Sequence, residues 1–379
     1  MTSEPTQTLR GRLVLDDRVA SGRLTIDDGR ISEVALDDGE VADGPYLAPG
    51  FVDVHVHGWG GHDAMGDRAA LDGMARALLR RGVTSFLPTA VSAPLPTLID
   101  VAERVRAWRP DAPDDGAEPL GLNLEGPFLA DPKRGAHDPA ALLAPAEVET
   151  GALEPLLDGL RLFTIAPELP GAAELIAWLD GRGVAVSLGH SAATLEVARA
   201  GFAAGATGTT HLFNAMSGLD HRAPGLALAA LLDDRVHVEL IADGIHVHQS
   251  MWELIARAKP AGKLVLVSDA VALAGTGDGL GRLGSLDVEV RGDRVTLAGT
   301  TTLAGSVLGL DRAVRNVVAA GSSLPDAIAA ASRDPLALLG ITDRGRLAVG
   351  QRADLVELDA DLAVRRVMRG GRWVAGAAS

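Results

Sequence analysis

Six residues in this chain have the types and spacing to hold a cation and use it: His55, His57, Glu125, His190, His211 and Asp269. Imidazole nitrogen and carboxylate oxygen ligate zinc or iron at about 2 Å. Alternation along a strand puts His55 and His57 on one face, so both reach the same point. A cation held by Glu125, His190 and His211 leaves a position open for water, whose pKa it lowers toward neutrality. Asp269 is then placed to accept a proton from that water and pass it to a leaving nitrogen. An amide needs this second transfer, because an unprotonated amine anion cannot depart.

Taken singly, each residue has a bland reading. A strand-end histidine is commonly a hydrogen-bonded structural residue, and an aspartate after a buried strand often caps a helix. Four histidines, a glutamate and an aspartate at the same end of five strands favour the metal site instead.

Those strands are read from short apolar runs at Phe51–Val56, Val83–Pro88, Leu120–Leu124, Leu162–Ala166, Val184–Leu188, Thr207–His211, Val236–Ala242 and Leu264–Asp269. Amphipathic helices alternate with them, at Arg68–Arg81, Thr97–Trp108, Ala172–Arg182, Ala193–Ala203 and Gln249–Ala258. Eight βα units favour a closed (β/α)8 barrel, whose strand C-termini converge on one mouth. Periodicity alone leaves a doubly wound sheet open. Half-buried strands at both ends of the chain (Leu13–Leu15, Arg23–Ile26, Ile31–Val34, Ala353–Leu358, Val364–Met368 and Arg372–Val374) cannot bury a core separately. They are expected to pair into one small β-sandwich domain, made of 1–49 and 345–379 around a barrel at 50–344.

Composition narrows the partners. With 50 acidic against 35 basic residues, a net charge of −15 argues against nucleic acid. The absence of cysteine excludes disulfides, zinc–thiolate sites and thiol nucleophiles. No signal-peptide core and no long apolar run is present, so the cytoplasm is the expected compartment and no membrane contact is expected.

The strings PGFVDVHVHG, LEGPFLADPKRGAHDP, SLGHSAAT, THLFNAMSGLDHRAPG, IADGIHVH, VSDA and LAGS, running in order from Pro49 to Ser306, resemble the N-acetylglucosamine-6-phosphate deacetylases of the amidohydrolase superfamily. The tail at Asp334–Gly340 and GRLAVGQRADLVELD extends the likeness over almost the whole chain. The resemblance implies a metal-dependent hydrolase converting N-acetyl-D-glucosamine 6-phosphate to D-glucosamine 6-phosphate and acetate. It implies Glu125, His190 and His211 as ligands of the main metal and Asp269 as the acid/base. Ala136, His137, Asn214, Ala215, Arg222, Asp243, Gly244, Ile245, His246, Leu303, Ala304 and Gly305 are implied as substrate contacts. Arg222 and His246 are expected near the phosphate, one of them from across a homodimer interface, and His137 at a sugar hydroxyl or the acetyl group. Backbone N–H groups at Asn214–Ala215 are expected to supplement them.

Some family members keep the first His-x-His pair and others replace it. Its presence here makes one or two divalent metals per subunit possible, with Glu125 as the bridge, zinc leading and iron behind. His248 stays unassigned, and His62, His221 and His237 read as surface or packing residues. The glycines at 58, 60 and 61 suggest close backbone approach rather than phosphate cradling. Rival readings are a D-aminoacylase or cyclic-amide hydrolase, and a non-catalytic sugar-phosphate or metal-binding protein on the same fold.

Overall fold

The computed structural model describes residues 6–38 and 43–376. Eight parallel strands form the barrel: β1 (Phe51–Val56), β2 (Val83–Val91), β3 (Leu122–Glu125), β4 (Leu160–Ile165), β5 (Ala185–Leu188), β6 (Gly208–Thr209), β7 (His237–Leu240) and β8 (Leu264–Leu266). Neighbours in this order are hydrogen-bonded from β1 through β8. The seam between β8 and β1 is closed just beyond the strand ends, where Asp269 N–H donates to His55 O at 2.9 Å and His57 N–H to Ala270 O at 2.8 Å. Barrel closure and the candidate site are therefore one piece of structure.

Why these segments become strands is visible in β1. Val52, Val54 and Val56 are buried on one face, while Asp53, His55 and then His57 alternate onto the other. The first helix, α1 (Arg68–Leu79), starts where the Asp67 carboxylate accepts from Ala70 N–H. Its buried Leu71, Met74, Ala75, Leu78 and Leu79 recur at the three-and-four spacing that lays one stripe on the barrel. The Gly58 turn confirms the expected close approach, since a Cβ there would lie 2.6 Å from Ala272 N.

Several expected strands are shorter than their apolar runs, two of them at site residues. Thr207–His211 reduces to Gly208–Thr209, and Leu264–Asp269 ends at Leu266. In both the chain leaves extended geometry to aim a polar side chain, and His211 and Asp269 take φ of 28° and 50°.

The terminal strands form one seven-stranded sheet, in the order Arg372–Gly376, Val364–Arg369, Leu355–Leu358, Tyr46–Pro49, Gln7–Val14, Val19–Asp27, Arg30–Leu36. Pairing of Leu355–Leu358 with Tyr46–Pro49 joins the two ends of the chain. Leu13, Leu24, Ile26, Ile31, Leu47, Leu355 and Met368 bury a separate core beneath it. A three-stranded antiparallel sheet (Gly279–Leu283, Leu286–Arg291, Arg294–Leu297) was not expected from the barrel pattern. It packs Leu283, Val288, Val290 and Val295 against Val91 and Val271 and walls one side of the cavity.

Candidate metal centre and substrate cavity

At the mouth of the barrel lies a cavity of about 390 Å3, lined by His57, Glu125, His137, His190, His211 and Asp269 at its base. Glu125 ends β3, and its two oxygens face different partners. Oε1 lies 3.0 Å from His190 Nε2 and 2.8 Å from His211 Nε2. Oε2 lies 3.2 Å from His57 Nε2, 3.3 Å from His137 Nε2 and 3.6 Å from His55 Nε2. Two groups with metal-ligand geometry result, Glu125/His190/His211 and His55/His57/Glu125, and they share one carboxylate.

The far side of two of the rings sets what their Nε2 atoms can do. His190 Nδ1–H donates to Lys133 O at 2.8 Å, and His57 Nδ1–H to Thr89 O at 3.1 Å. Each of these rings, when neutral, presents a bare lone pair at Nε2. Yet His190 Nε2 faces a carboxylate oxygen and, at 3.0 Å, another imidazole nitrogen, His211 Nε2. A bare His190 Nε2 against Glu125 Oε1 sets acceptor against acceptor, which a cation between them relieves. The donor set fits a divalent metal.

Electrostatics agree. Burial raises the Glu125 pKa, but the surrounding imidazoles outweigh it and hold the carboxyl well below its usual range. Asp269 is likewise kept ionised against burial, chiefly by His57. Burial and the neighbouring His137 push His190 down to about 4, so it is a neutral ligand. Burial also works to lower His57, but Asp269 at 3.1 Å and Glu125 raise it to about 9. The field that draws a proton onto His57 is the field that draws a metal ion.

His137 differs from the ligand histidines in its tautomer. Ser92 N–H donates to His137 Nδ1 at 3.2 Å, so the ring proton sits on Nε2, on the cavity side and facing Glu125 Oε2 at 3.3 Å. His137 is thus built as a hydrogen-bond donor.

The backbone at this site is strained in a consistent way. His190, His211, Phe213, Ala215 and Asp269 all have φ between 28° and 78°, a region costly for residues with a Cβ. Gly305, at φ 70°, sits where a Cβ would lie 2.8 Å from Asp269 O, which is why the LAGS turn needs glycine there.

Of the expected substrate contacts, Ala136, His137, Asn214, Ala215, His246, Leu303 and Gly305 line the cavity. Asp243 stands behind it, with Oδ1 accepting from Ile245 and His246 N–H and Oδ2 bonded to His246 Nδ1 at 2.7 Å. The Asp-Gly-Ile-His string is a device for orienting His246; Gly244, at φ 77°, makes its turn. Ala304 is fully buried beside the cavity, and His55 is fully buried behind His57. Arg222 is not in this chain's own cavity. It is exposed on a turn organised by Asp220, and its Nε donates to His221. Nor is Asn214 N–H free for substrate, since it donates to His211 O at 3.0 Å.

Lys133 was not singled out from sequence, yet it is the one lysine or arginine lining the cavity. Its neighbour Arg134 is tied to Asp131 at 2.8 Å, while the Lys133 ammonium has no partner among the described residues. His248 caps the helix Gln249–Ala258, accepting from Ser250 N–H, which gives it a structural role. His237 is buried, His62 packs against Gly73, and His221 is exposed, in keeping with surface and packing roles.

Comparison with known proteins places this geometry. The chain is 41% identical to the N-acetylglucosamine-6-phosphate deacetylase of Bos taurus, covering 97% of this chain and 90% of that protein. It is 39% identical to the N-acetylgalactosamine-6-phosphate deacetylase of Escherichia coli O157:H7, covering 98% of each. A solved structure, a variant of the Mycobacterium smegmatis N-acetyl-D-glucosamine-6-phosphate deacetylase in complex with N-acetyl-D-glucosamine-6-phosphate, superposes with a TM-score of 0.89 at 35% identity, over 98% of this chain and all of that one. The amidohydrolase family model matches residues 46–374. The chain therefore belongs to the amidohydrolase family, and within it to the group of the N-acetylglucosamine-6-phosphate deacetylases.

Proposed function

We infer that the chain hydrolyses the acetamide of N-acetyl-D-glucosamine 6-phosphate, releasing D-glucosamine 6-phosphate and acetate in amino-sugar catabolism or recycling. The observation that carries this reading is one cavity with a cation-seeking cluster at its base and unpaired Lys133 with His246 at its rim. Glu125, His190 and His211 would hold a divalent cation, which would supply Lewis-acid polarisation of the acetyl carbonyl and acidify the attacking water. Asp269 takes the proton of that water and returns it to the nitrogen as the C–N bond breaks. His137 donates from Nε2 to the carbonyl oxygen as negative charge develops there. Lys133 and His246, the latter held by Asp243, grip the phosphate.

The imidazole–carboxylate donor set supports zinc, with iron behind it. His55 and His57, with Glu125 and Asp269, offer a second cation position. The family resemblance suggests a homodimer, in which Arg222, exposed outside its own chain's cavity, would reach the partner's phosphate. No helix among the described residues is long and apolar enough to cross a membrane, in keeping with a cytoplasmic enzyme. The domain limits 1–49, 50–344 and 345–379 remain the division we propose.

The test is acetate release from N-acetyl-D-glucosamine 6-phosphate by chelated and metal-restored protein. Release should vanish on chelation and return with zinc, and the unphosphorylated sugar should react far more slowly. Equal turnover of both sugars would remove the phosphate from the reading. The Escherichia coli relative favours a second reading, the C4 epimer as substrate; kcat/KM for the two epimers decides between them.

A further inference from the structure

Glu239 belongs to neither ligand group and lines no part of the cavity, yet it is a carboxylate only 1% exposed near the end of β7. Burying such a group is costly unless it is tightly partnered. Its oxygen Oε2 has two partners: His55 Nδ1 at 3.0 Å and the backbone N–H of His211 at 3.1 Å. The other oxygen, Oε1, has none among the described residues. One atom therefore touches a residue from each ligand group.

The two contacts do different things. Bonded to Glu239, His55 carries a proton on Nδ1, and its neutral ring turns a lone pair at Nε2 toward His57 Nε2 (3.3 Å), Glu125 and Asp269. With the opposite tautomer His55 would aim an N–H into the space a second cation needs. His211 has φ 28° and its own ring Nδ1 lacks a partner among the described residues; its backbone is held from two sides, the N–H by Glu239 and the carbonyl by Asn214 N–H.

We propose that Glu239 is a positioning residue that makes the second cation site by fixing the tautomer and orientation of His55, while locking His211 in register with it. The proposal rests on the two-cation reading given above. A hydrogen-bonded carboxylate behind a ligand histidine raises the basicity of the ring, and losing one weakens metal affinity by roughly 10–100-fold. Glu239→Gln keeps the size and an acceptor for His211 N–H but removes the charge. Glu239→Leu removes the acceptor altogether.

The experiment measures metal equivalents per chain in holoenzyme dialysed against chelators of increasing strength, together with the visible spectrum of cobalt-substituted protein. Wild type should hold two equivalents. E239Q should release the second about 10–100-fold more readily and keep the first within about threefold, since Glu125 and His190 are anchored elsewhere. E239L should release the second more readily still and loosen the first as well, since His211 N–H loses its acceptor; if it fails to fold, E239Q decides alone. On a His55→Ala background E239Q should cause no further loss. Two equivalents in E239Q with unchanged release would overturn the role of Glu239, and so would parallel loss of both. A single equivalent in wild type would overturn the two-cation reading and this proposal together.

Discussion

The base and the rim of the cavity are built by opposite means. At the base, His57, Glu125, His190, His211 and Asp269 are each at most 7% exposed, and the rings of His57 and His190 are locked by backbone carbonyls. They stand at or just beyond the ends of barrel strands. The rim is made of loops: Lys133 has a free ammonium, and Arg222 is exposed outside its own cavity. His246 is the exception, because Asp243 holds it. The contrast teaches that the bond-breaking groups are preorganised by the barrel, where a small displacement would be costly. On the proposed reading, phosphate recognition falls to side chains that close on a charged ligand, with Arg222 supplied by a neighbouring copy.

The comparison can be broken first at the base. Glu125→Ala removes the carboxylate shared by both groups, and we expect it to lose bound metal and fall to the activity of chelated enzyme. Metal analysis with an acetate assay checks this; an active, metal-replete E125A would end the case. Asp269→Asn should keep the cation held by Glu125, His190 and His211 but lower kcat by roughly 10²–10⁴-fold, because the proton transfer is removed. Unchanged turnover would take Asp269 out of the mechanism.

The rim should respond in KM and not in kcat. Lys133→Ala loses a charge-assisted contact of about 1.5–3 kcal/mol, or about 10–100-fold in KM for the phosphorylated sugar, with little change for the unphosphorylated one. A matching fall in kcat would show that Lys133 acts at the base. Arg222→Ala is exposed and should cost less, about two- to fivefold in KM. Its loss should disappear when the protein is diluted to monomer, and equal losses on phosphorylated and unphosphorylated sugars would remove Arg222 from phosphate recognition.

Much of the base was legible in the sequence. Short buried runs ending in His, Glu or Asp mark strand ends, and a parallel barrel brings all such ends to one mouth. The rim was less legible for a physical reason. Lys133 and Arg134 are adjacent cations that Asp131 could pair with equally on charge; the folded turn gives Asp131 to the arginine and leaves the lysine at the cavity. The three-stranded sheet at 279–297 did leave a signal, in the Gly284-Ser285 and Gly292-Asp293 pairs between alternating runs. It was masked because Leu280 and the charged positions leave its strands half exposed. Glu239, a charge inside an apolar run, was also visible as an anomaly, though not its partner.

By itself, the sequence determined which donor atoms this protein has and at which strand ends they stand, because side-chain alternation and βα succession are local properties. Tertiary structure set the expected sharing of Glu125 oxygen by oxygen, and it alone decided that Asp269 closes the barrel seam against His55. It alone also decided that Glu239 reaches both His55 and His211. Those relations join residues far apart in the chain, and they are set by strand register and by left-handed backbone turns that no local pattern encodes.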